Sequence, residues 1–534
     1  MRILLINPPY HSLTSLYGVG AQIPLGLLWV GGALIDAGHD ISLLDAEAWR
    51  LSATESADKA MAQEPQLIMT GHAGSTPAHP SVVVMARALK QRLPNVPIVY
   101  GGVYPTYHGQ EILAGEPAID IIVRGEGEAT AVHLTEAMQT GGNLAGVRGI
   151  DYRENGTIKT NPPTEMIADL NERRVGWESI EDWDIYQCWG LGRSAIVQFS
   201  RGCPHQCSYC GQRGFWTKWR YRDAEKTAAE IGWLHREKGV NFIDLADENP
   251  TSSKRIWQHF LEAVIAQKAP VKLFATIRAP DIVRDADILH LYKRAGIDCV
   301  LMGMETTDPA TIEKIRKGST TRDDLEAIRL LRRHGILSMI GHIVGFEQET
   351  CMDYWRSLRQ LLFYDPDLLN AMYVTPHRWT DFYRDNEMRE VIEPDQSRWD
   401  YRHQILGTRH LRPWQIFALV KLTEAIVHLR PRALLRHLFY ADRHQRHAYR
   451  WSVRHASRVW FAEIVEFLRC RGSVSKARTL GELAGRHTGN EAPLVPRAAV
   501  RTPFHRATSR TSHLGSTESA IQCVDRAQRG PRQI

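Results

Sequence analysis

The sequence predicts an α/β protein made of two parallel sheets in series, and three observations predict it. Short apolar strands alternate with amphipathic helices over residues 1 to 145. The alternation resumes near Ser194 and runs to about residue 410, after a break that shows neither period. The third observation is length: 534 residues exceed one ordinary core, so two or three domains are expected. Hydrophobic content of 43% and charged content of 24% suit a globular chain. No apolar run is long enough to span a bilayer.

The elements follow in order. "RILLIN" reads as a strand. "PLGLLWVGGALIDAG" reads as a helix, with Pro24 near its start and Gly38 at its end. "ISLLDA" and "PQLIMTG" are strands. "SVVVMARALKQRL" is helical, with Val82, Val83, Ala86, Leu89 and Leu93 at helical spacing. "PIVYGGVYP" and "IDIIVRGEGE" complete a doubly wound, Rossmann-like sheet over residues 1 to 145. Residues 146 to 190 read as a hairpin, turning at Asn155-Gly156, and an irregular linker. Residues 191 to 410 offer six strands: "SAIVQFS", "VNFIDLAD", "VKLFATIR", "CVLMGME", "SMIGHIVG" and "LLNAMYVTP". Helices separate them, which implies a partial (βα)6 TIM-type barrel with active residues beyond the strands' C-terminal ends. Residues 411 to 470 form a helical region rich in Trp, Arg and His. From 471 to 534 Ser, Thr, Pro and Arg dominate, and a disordered tail is expected.

In "MRILLINPPY" two prolines follow four apolar residues at once, so no signal peptide is read and a cytoplasmic location is expected. The eight cysteines are then thiols or metal ligands rather than disulfides. The net charge of +6 is uneven. The basic stretch from 428 to 458 fits a solvated face or an anionic partner.

Three cysteines carry the chemistry. Cys203, Cys207 and Cys210 follow a C-x3-C-x2-C pattern directly after "SAIVQFS". Thiolates suit iron–sulfur clusters, zinc or copper(I). Structural zinc closes its shell with a fourth protein ligand, for which His205 is at hand. The stretch "RGCPHQCSYC", placed after a barrel's first strand, resembles the radical S-adenosylmethionine (SAM) enzymes. That resemblance implies a [4Fe-4S] cluster on three thiolates, its fourth iron left for the amino and carboxylate groups of SAM. Tyr209 stands where the family commonly has an aromatic residue. By the same resemblance Asp247 and Glu248 of "LADENP" meet the SAM amino group. Arg278 of "TIRA" meets its carboxylate, Glu305 of "VLMGMET" its ribose, and Gly345 of "MIGHIVGFEQET" its adenine. Plainer readings stand beside these: a helix cap for Asp247 and a barrel-lip salt bridge for Arg278. Phe346 departs from the proline common in the family.

The front unit resembles the domain that binds cobalamin in the cobalamin-dependent radical SAM class. Four loops carry that resemblance: Asn7, Pro8 and Tyr10 of "NPPY"; Thr70, Gly71 and His72 of "TGHAGST"; Gly101, Gly102 and Val103 of "GGVYPT"; and Glu126 of "GEGE". Glycines there let backbone approach the corrin. Neither "DAGHD" nor "GHAGS" fits the Asp-x-His-x-x-Gly motif that gives cobalt a histidine. No second cysteine triad appears, unlike in methylthiotransferases.

More narrowly, "GGVYPTYHG", "QFSRGCPHQCSYCGQRGFWTKWRYRD" and "VTPHRWTDFYRD" resemble the anaerobic magnesium-protoporphyrin IX monomethyl ester oxidative cyclase family. That implies formation of the isocyclic fifth ring of (bacterio)chlorophyll, with oxygen from water and divinyl protochlorophyllide as product. It also implies a magnesium-porphyrin substrate and an external one-electron donor such as ferredoxin or flavodoxin. No nucleic-acid partner is implied, and the apolar substrate suits peripheral membrane contact. Trp216, Trp219, Trp379, Trp399 and Trp414 are candidates to stack on a porphyrin. Arg378 is the candidate for its free propionate, and His377 for its magnesium. Two rivals remain: a cobalamin-dependent radical SAM methyltransferase, and a nucleic-acid-binding module with a zinc knuckle at Cys203.

Overall fold

Strand β1 (Arg2–Asn7) has no polar face to offer water, and from Ile3 onward it lies buried inside the front sheet between two parallel neighbours. This is seen in a computed structural model that describes residues 1–485, apart from 19, 213, 440–442 and 470–477. β1 pairs in parallel with β2 (Asp40–Asp45) and β3 (Leu67–Thr70). β4 (Ile98–Gly101) and β5 (Ile121–Val123) continue in parallel. Alternate residues feed two cores. Leu4 and Ile6 pack with Val82 and Leu89 of helix His79–Arg92, while Ile3 and Leu5 pack with Leu27, Leu34 and Leu134 of helices on the other face. The sheet is therefore doubly wound, as expected.

The Asn155-Gly156 turn forms with both φ angles positive, 50° and 76°. Its strands do not stand apart. β6 (Ile150–Glu154) pairs antiparallel with β5, and β7 (Thr157–Thr160) with β6, so the hairpin is the edge of a seven-stranded sheet in the order β2-β1-β3-β4-β5-β6-β7. The linker that follows is held by short turns and by apolar packing. Trp177, Trp183 and Tyr186 join Leu28 and Trp29 of the front helix to the core of the second sheet.

The second sheet begins with β8 (Ser194–Val197). A short antiparallel pair follows, β9 (Ser200–Arg201) with β10 (Arg220–Tyr221), and it closes the loop that carries the three cysteines. Then come β11 (Phe242–Leu245), β12 (Lys272–Thr276), β13 (Ile297–Glu305), β14 (Leu337–Val344) and β15 (Leu368–Tyr373). The six long strands run parallel in the order β15-β14-β13-β12-β11-β8, so the barrel is open between its first and last strands. Helices cover the outside. Trp189, Tyr449 and Phe242 pack together at the strands' N-terminal end.

Helices Pro413–Leu429, Pro431–Phe439 and Arg443–Arg469 follow. Of the expected tail, Arg478–Thr479 forms β17 against β16 (Glu390–Val391), and a short helix runs Leu480–Ala484. Residues 471–477 and 486–534 lie outside the described residues. No helix among the described residues is long and apolar enough to cross a membrane.

Candidate active site

After β8 the chain must leave the sheet and turn across the barrel mouth. Asp247, just past β11, holds that turn. Its carboxylate accepts the Phe199 amide at 3.1 Å, the Ser200 amide, and the Ser200 hydroxyl at 2.5 Å. Phe199 and Ser200 are fully buried, so no water replaces those bonds. Burial pushes the Asp247 carboxyl up to about 6. Glu248 accepts the Gly202 amide at 3.0 Å, and burial raises it to about 8. Gly202 has a φ of 91°, and a Cβ there would sit 2.4 Å from the Lys218 carbonyl, so only glycine fits.

Cys203, Cys207 and Cys210 follow on this braced loop, partly exposed and without disulfides. The Ser208 amide donates to the Ile315 carbonyl at 3.0 Å, and the Phe382 amide to the Ser208 carbonyl at 2.9 Å. The Trp379 indole donates to the Gly211 carbonyl at 2.7 Å. His205 is turned aside. Burial lowers it to about 4, and as a neutral ring it accepts a hydrogen bond from Arg278. Arg278 also bonds the Lys317 and Gly318 carbonyls, tying the cysteine loop to the loop after β13. No three His, Cys, Asp or Glu side chains among the described residues converge on one ion. Three soft thiol donors on one loop, none of them in a disulfide and with the nearby histidine bonded to Arg278, fit a cluster that takes one thiolate per iron. They do not fit a closed zinc shell.

Beneath the loop lies a buried ionic group. Glu305 sits at an irregularity in the β13–β14 register, with a φ of 65°. Its carboxylate is ion-paired with Lys317, and the two side chains are 6% and 9% exposed. The Lys317 ammonium also reaches the Tyr209 hydroxyl at 3.3 Å. Gly345, at the end of β14, donates to Glu349 at 2.8 Å and accepts from Arg389 at 3.1 Å.

On the front sheet, Asn7 donates to Asp45 at 2.7 Å and Thr70 to the Ile6 carbonyl at 2.8 Å, so both side chains brace strand ends. The Pro8 carbonyl accepts the Tyr10 amide at 2.8 Å, and the Tyr10 ring meets His72 edge-on at 5.4 Å. His72 accepts the Gly74 amide on Nδ1 at 2.7 Å and meets Glu47 through Nε2 at 2.9 Å. Both ring nitrogens are engaged. Gly102, with a φ of 115°, leads into the helix Val103–Gly115, and a Cβ on Gly71 would lie 2.7 Å from the Gly101 carbonyl. Ser75 Oγ, His79 Nδ1, Tyr107 Oη and His108 Nδ1, in the segments that follow β3 and β4, are buried and find no hydrogen-bond partner among the described residues. Buried polar groups in proteins are normally paired. Bare backbone beside unpaired donors and acceptors fits a large, amide-bearing cofactor such as cobalamin.

Glu126 lies elsewhere. It stands at the start of the helix Gly127–Gln139, but its side chain turns away from the helix to the barrel, bonding Arg201 at 3.1 Å, Arg220 at 2.8 Å and the Ile167 amide at 2.7 Å. Burial alone would raise it, but the Arg220 hydrogen bonds and the Arg201 charge hold it below the usual carboxylate range.

Trp379 joins the two units, stacking at 4.8 Å on Tyr107 of the front unit's helix Val103–Gly115 and at 5.1 Å on His377. His377 shares hydrogen bonds with the Tyr401 hydroxyl at 2.7 Å and Thr76 at 3.3 Å, and burial lowers it to about 4. A cavity of about 330 Å³ opens beside them, lined by Thr76, Tyr104, His108, Arg378 and Trp399, and Arg378 is ion-paired with Glu111. The other tryptophans lie apart. Trp216 packs under Arg201, Trp219 donates to the Asn249 carbonyl, and Trp414 lies on an outer helix beside a second cavity of about 430 Å³. The sequence reading did not single out Lys317, Arg201, Arg220 or Glu47. Nothing in "EKIRKGST" distinguishes Lys317 from a surface lysine, and only the fold buries it.

Residues 197–361 match the radical SAM superfamily, and residues 19–135 match the B12 binding domain. An anaerobic magnesium-protoporphyrin IX monomethyl ester cyclase of Synechocystis sp. is 50% identical over 91% of this chain and 97% of its own length. Enzymes of the same name from Cereibacter sphaeroides and Rubrivivax gelatinosus are 33% and 32% identical. Those matches cover 77% and 74% of this chain, and 68% and 71% of theirs. The solved structure of the radical SAM methyltransferase TsrM from Kitasatospora setae, with cobalamin and a [4Fe-4S] cluster bound, superposes with a TM-score of 0.67. It is 16% identical, and the match covers 86% of this chain and 99% of that one. OxsB, with aqua-cobalamin and SAM bound, gives 0.63 at 15% identity over 89% of this chain and 73% of that one. At such identities these two show the fold.

Proposed function

The chain belongs to the anaerobic magnesium-protoporphyrin IX monomethyl ester cyclase family of cobalamin-binding radical SAM enzymes, and from that premise we propose which of its residues do the work. The reaction is closure of the isocyclic ring with oxygen taken from water, giving divinyl protochlorophyllide. A bound [4Fe-4S] cluster would supply the one-electron reduction that SAM cleavage and hydrogen abstraction from the esterified propionate require. Cys203, Cys207 and Cys210 hold the cluster. Asp247 and Glu248 fix the backbone that aims them, and Tyr209, Lys317 and Glu305 form the polar floor beneath. Arg278 and Gly345 line the SAM side of the mouth.

On the opposite wall Gly71, Gly101, Gly102 and Val103 give the corrin a bare backbone surface, and Asn7, Pro8, Tyr10, Thr70 and His72 shape its rim. His72, with both nitrogens engaged, offers no lone pair to cobalt. Glu126 fixes the distance between the two walls through its arginines. Trp379 and Trp399 shield the junction from water, where a radical would otherwise be quenched, and Arg378 stands where a propionate can take it from Glu111. An external one-electron donor, such as ferredoxin or flavodoxin, completes the requirement. The observation that carries the reading is the Trp379 side chain. It bonds the Gly211 carbonyl of the cysteine loop and stacks on Tyr107 of the front unit, so one residue touches both matched segments.

The test is anoxic reconstitution with iron, sulfide and cobalamin, followed by SAM and magnesium-protoporphyrin monomethyl ester. A protochlorophyllide-like absorption band is expected, with a product that has gained one oxygen and lost hydrogens. Gain of a methyl group instead would establish the methyltransferase reading. Cys207→Ala should form no 5'-deoxyadenosine, and undiminished formation would reject the cluster assignment.

A further inference from the structure

The helix Pro413–Leu429 is apolar on both faces: Ile416, Val420 and Val427 are buried in the core, and its outer side is apolar as well. Its two charged side chains, Lys421 and Glu424, are buried and paired with each other at 2.6 Å, and Lys421 also pairs with buried Glu463 of the helix Arg443–Arg469. On the outer side Trp414, Leu422 and Leu429 are 52%, 43% and 64% exposed. A surface helix normally turns a polar face outward. The Phe417–Phe467 stack and the Lys421–Glu463 pair set the two helices side by side in antiparallel order. That order brings exposed Phe461, Val465 and Leu468 alongside. The helix between them, Pro431–Phe439, exposes Leu434, Leu435 and Phe439. Nine of the twenty large apolar side chains exposed in the described residues lie on these three helices. Scattered surface leucines do not concentrate so.

The exposed charges beside this surface are basic, and the partly exposed Glu466 is ion-paired with Arg398 and His403. Among the described residues of the three helices, no fully exposed side chain is acidic, whereas Arg432, Arg454 and Arg458 are exposed. We propose that this face is a docking surface for an anionic lipid bilayer, on which the chain rests with its apolar stripe at the acyl boundary and its arginines among the headgroups. No described helix crosses a membrane, so the attachment is peripheral. A second copy is a poorer occupant, because a two-fold contact would set one row of arginines against another. The chain beyond residue 485 is poorer too, since it carries eight Arg against three Asp or Glu.

Flotation of the full chain with phosphatidylcholine vesicles, with and without phosphatidylglycerol, reads this directly. The chain should float only with the anionic vesicles, and salt should release part of it. Leu422→Ser with Leu435→Ser, and separately Arg454→Glu with Arg458→Glu, should each weaken flotation by about tenfold. Circular dichroism and 5'-deoxyadenosine formation should stay unchanged, so failure of docking is distinct from failure of the cyclase reading. A chain that never floats, or variants that float like the parent, would overturn the proposal. So would a dimer in light scattering that Leu422→Ser dissociates.

Discussion

Asp247→Ala separates two roles for one carboxylate. If the side chain braces the cysteine loop, its removal strands the Phe199 and Ser200 amides, both fully buried. An unsatisfied buried donor costs about 1–3 kcal/mol, so the two together cost roughly 2–6 kcal/mol. Relief from burying a carboxylate offsets part of that, and a net loss of about 3 kcal/mol is expected. For a barrel unit of this size that lowers the unfolding midpoint by roughly 6–12 °C. Anoxic thermal unfolding reads the loss, and iron content after reconstitution should fall with it. Asp247→Asn, which keeps one acceptor, should fall between the two. If Asp247→Ala unfolded like the parent and kept its iron but bound SAM weakly, the bracing argument would be wrong. The carboxylate would then serve the SAM amino group directly.

Other outcomes follow from the same structure. Lys317→Met leaves Glu305 buried and unpaired, and should destabilise by about 3–5 kcal/mol in anoxic unfolding; adding Glu305→Gln should recover most of it. Burial would lower His403, but hydrogen bonds to Asp400 and Glu466 raise it to about 9. Its folded value lies above its unfolded one. The stability it contributes, up to about 3 kcal/mol, is therefore complete below pH about 6.5 and lost as pH rises through about 9. His403→Gln should flatten that fall in unfolding midpoints taken across this range. Gly102→Ala forces a side chain onto a φ of 115°, at a cost of about 1–3 kcal/mol, and should reduce the cobalamin retained after desalting.

How much was legible in the sequence depended on the range of the interaction. The C-x3-C-x2-C spacing is local, and so is the unbroken apolar run "ILLI", so both the thiol triad and the first strand could be read directly. Asp247 and Glu248 were singled out from "LADENP", but their partners are amides 46 to 48 residues away in the chain, and no local pattern records them. The turn at Asn155-Gly156 was readable because its positive φ angles are a property of two residues. That its strands would finish the front sheet was not, because pairing of β6 with β5 depends on which edge lies open.

The sequence by itself determined the chemistry available: three soft thiols on a strand-end loop, glycines at the ends of parallel strands, and two α/β units in series. Spacing and periodicity act over a few residues, and a linear string preserves them. The tertiary structure alone decided which of these groups face one another. It turned His205 to Arg278, buried Lys317 against Glu305, sent Glu126 to the arginines of the barrel and set Trp379 against Tyr107 of the front unit. Those contacts join residues 12 to 272 positions apart, and their energies come from excluding water once the sheets have packed, a condition no short stretch of sequence carries.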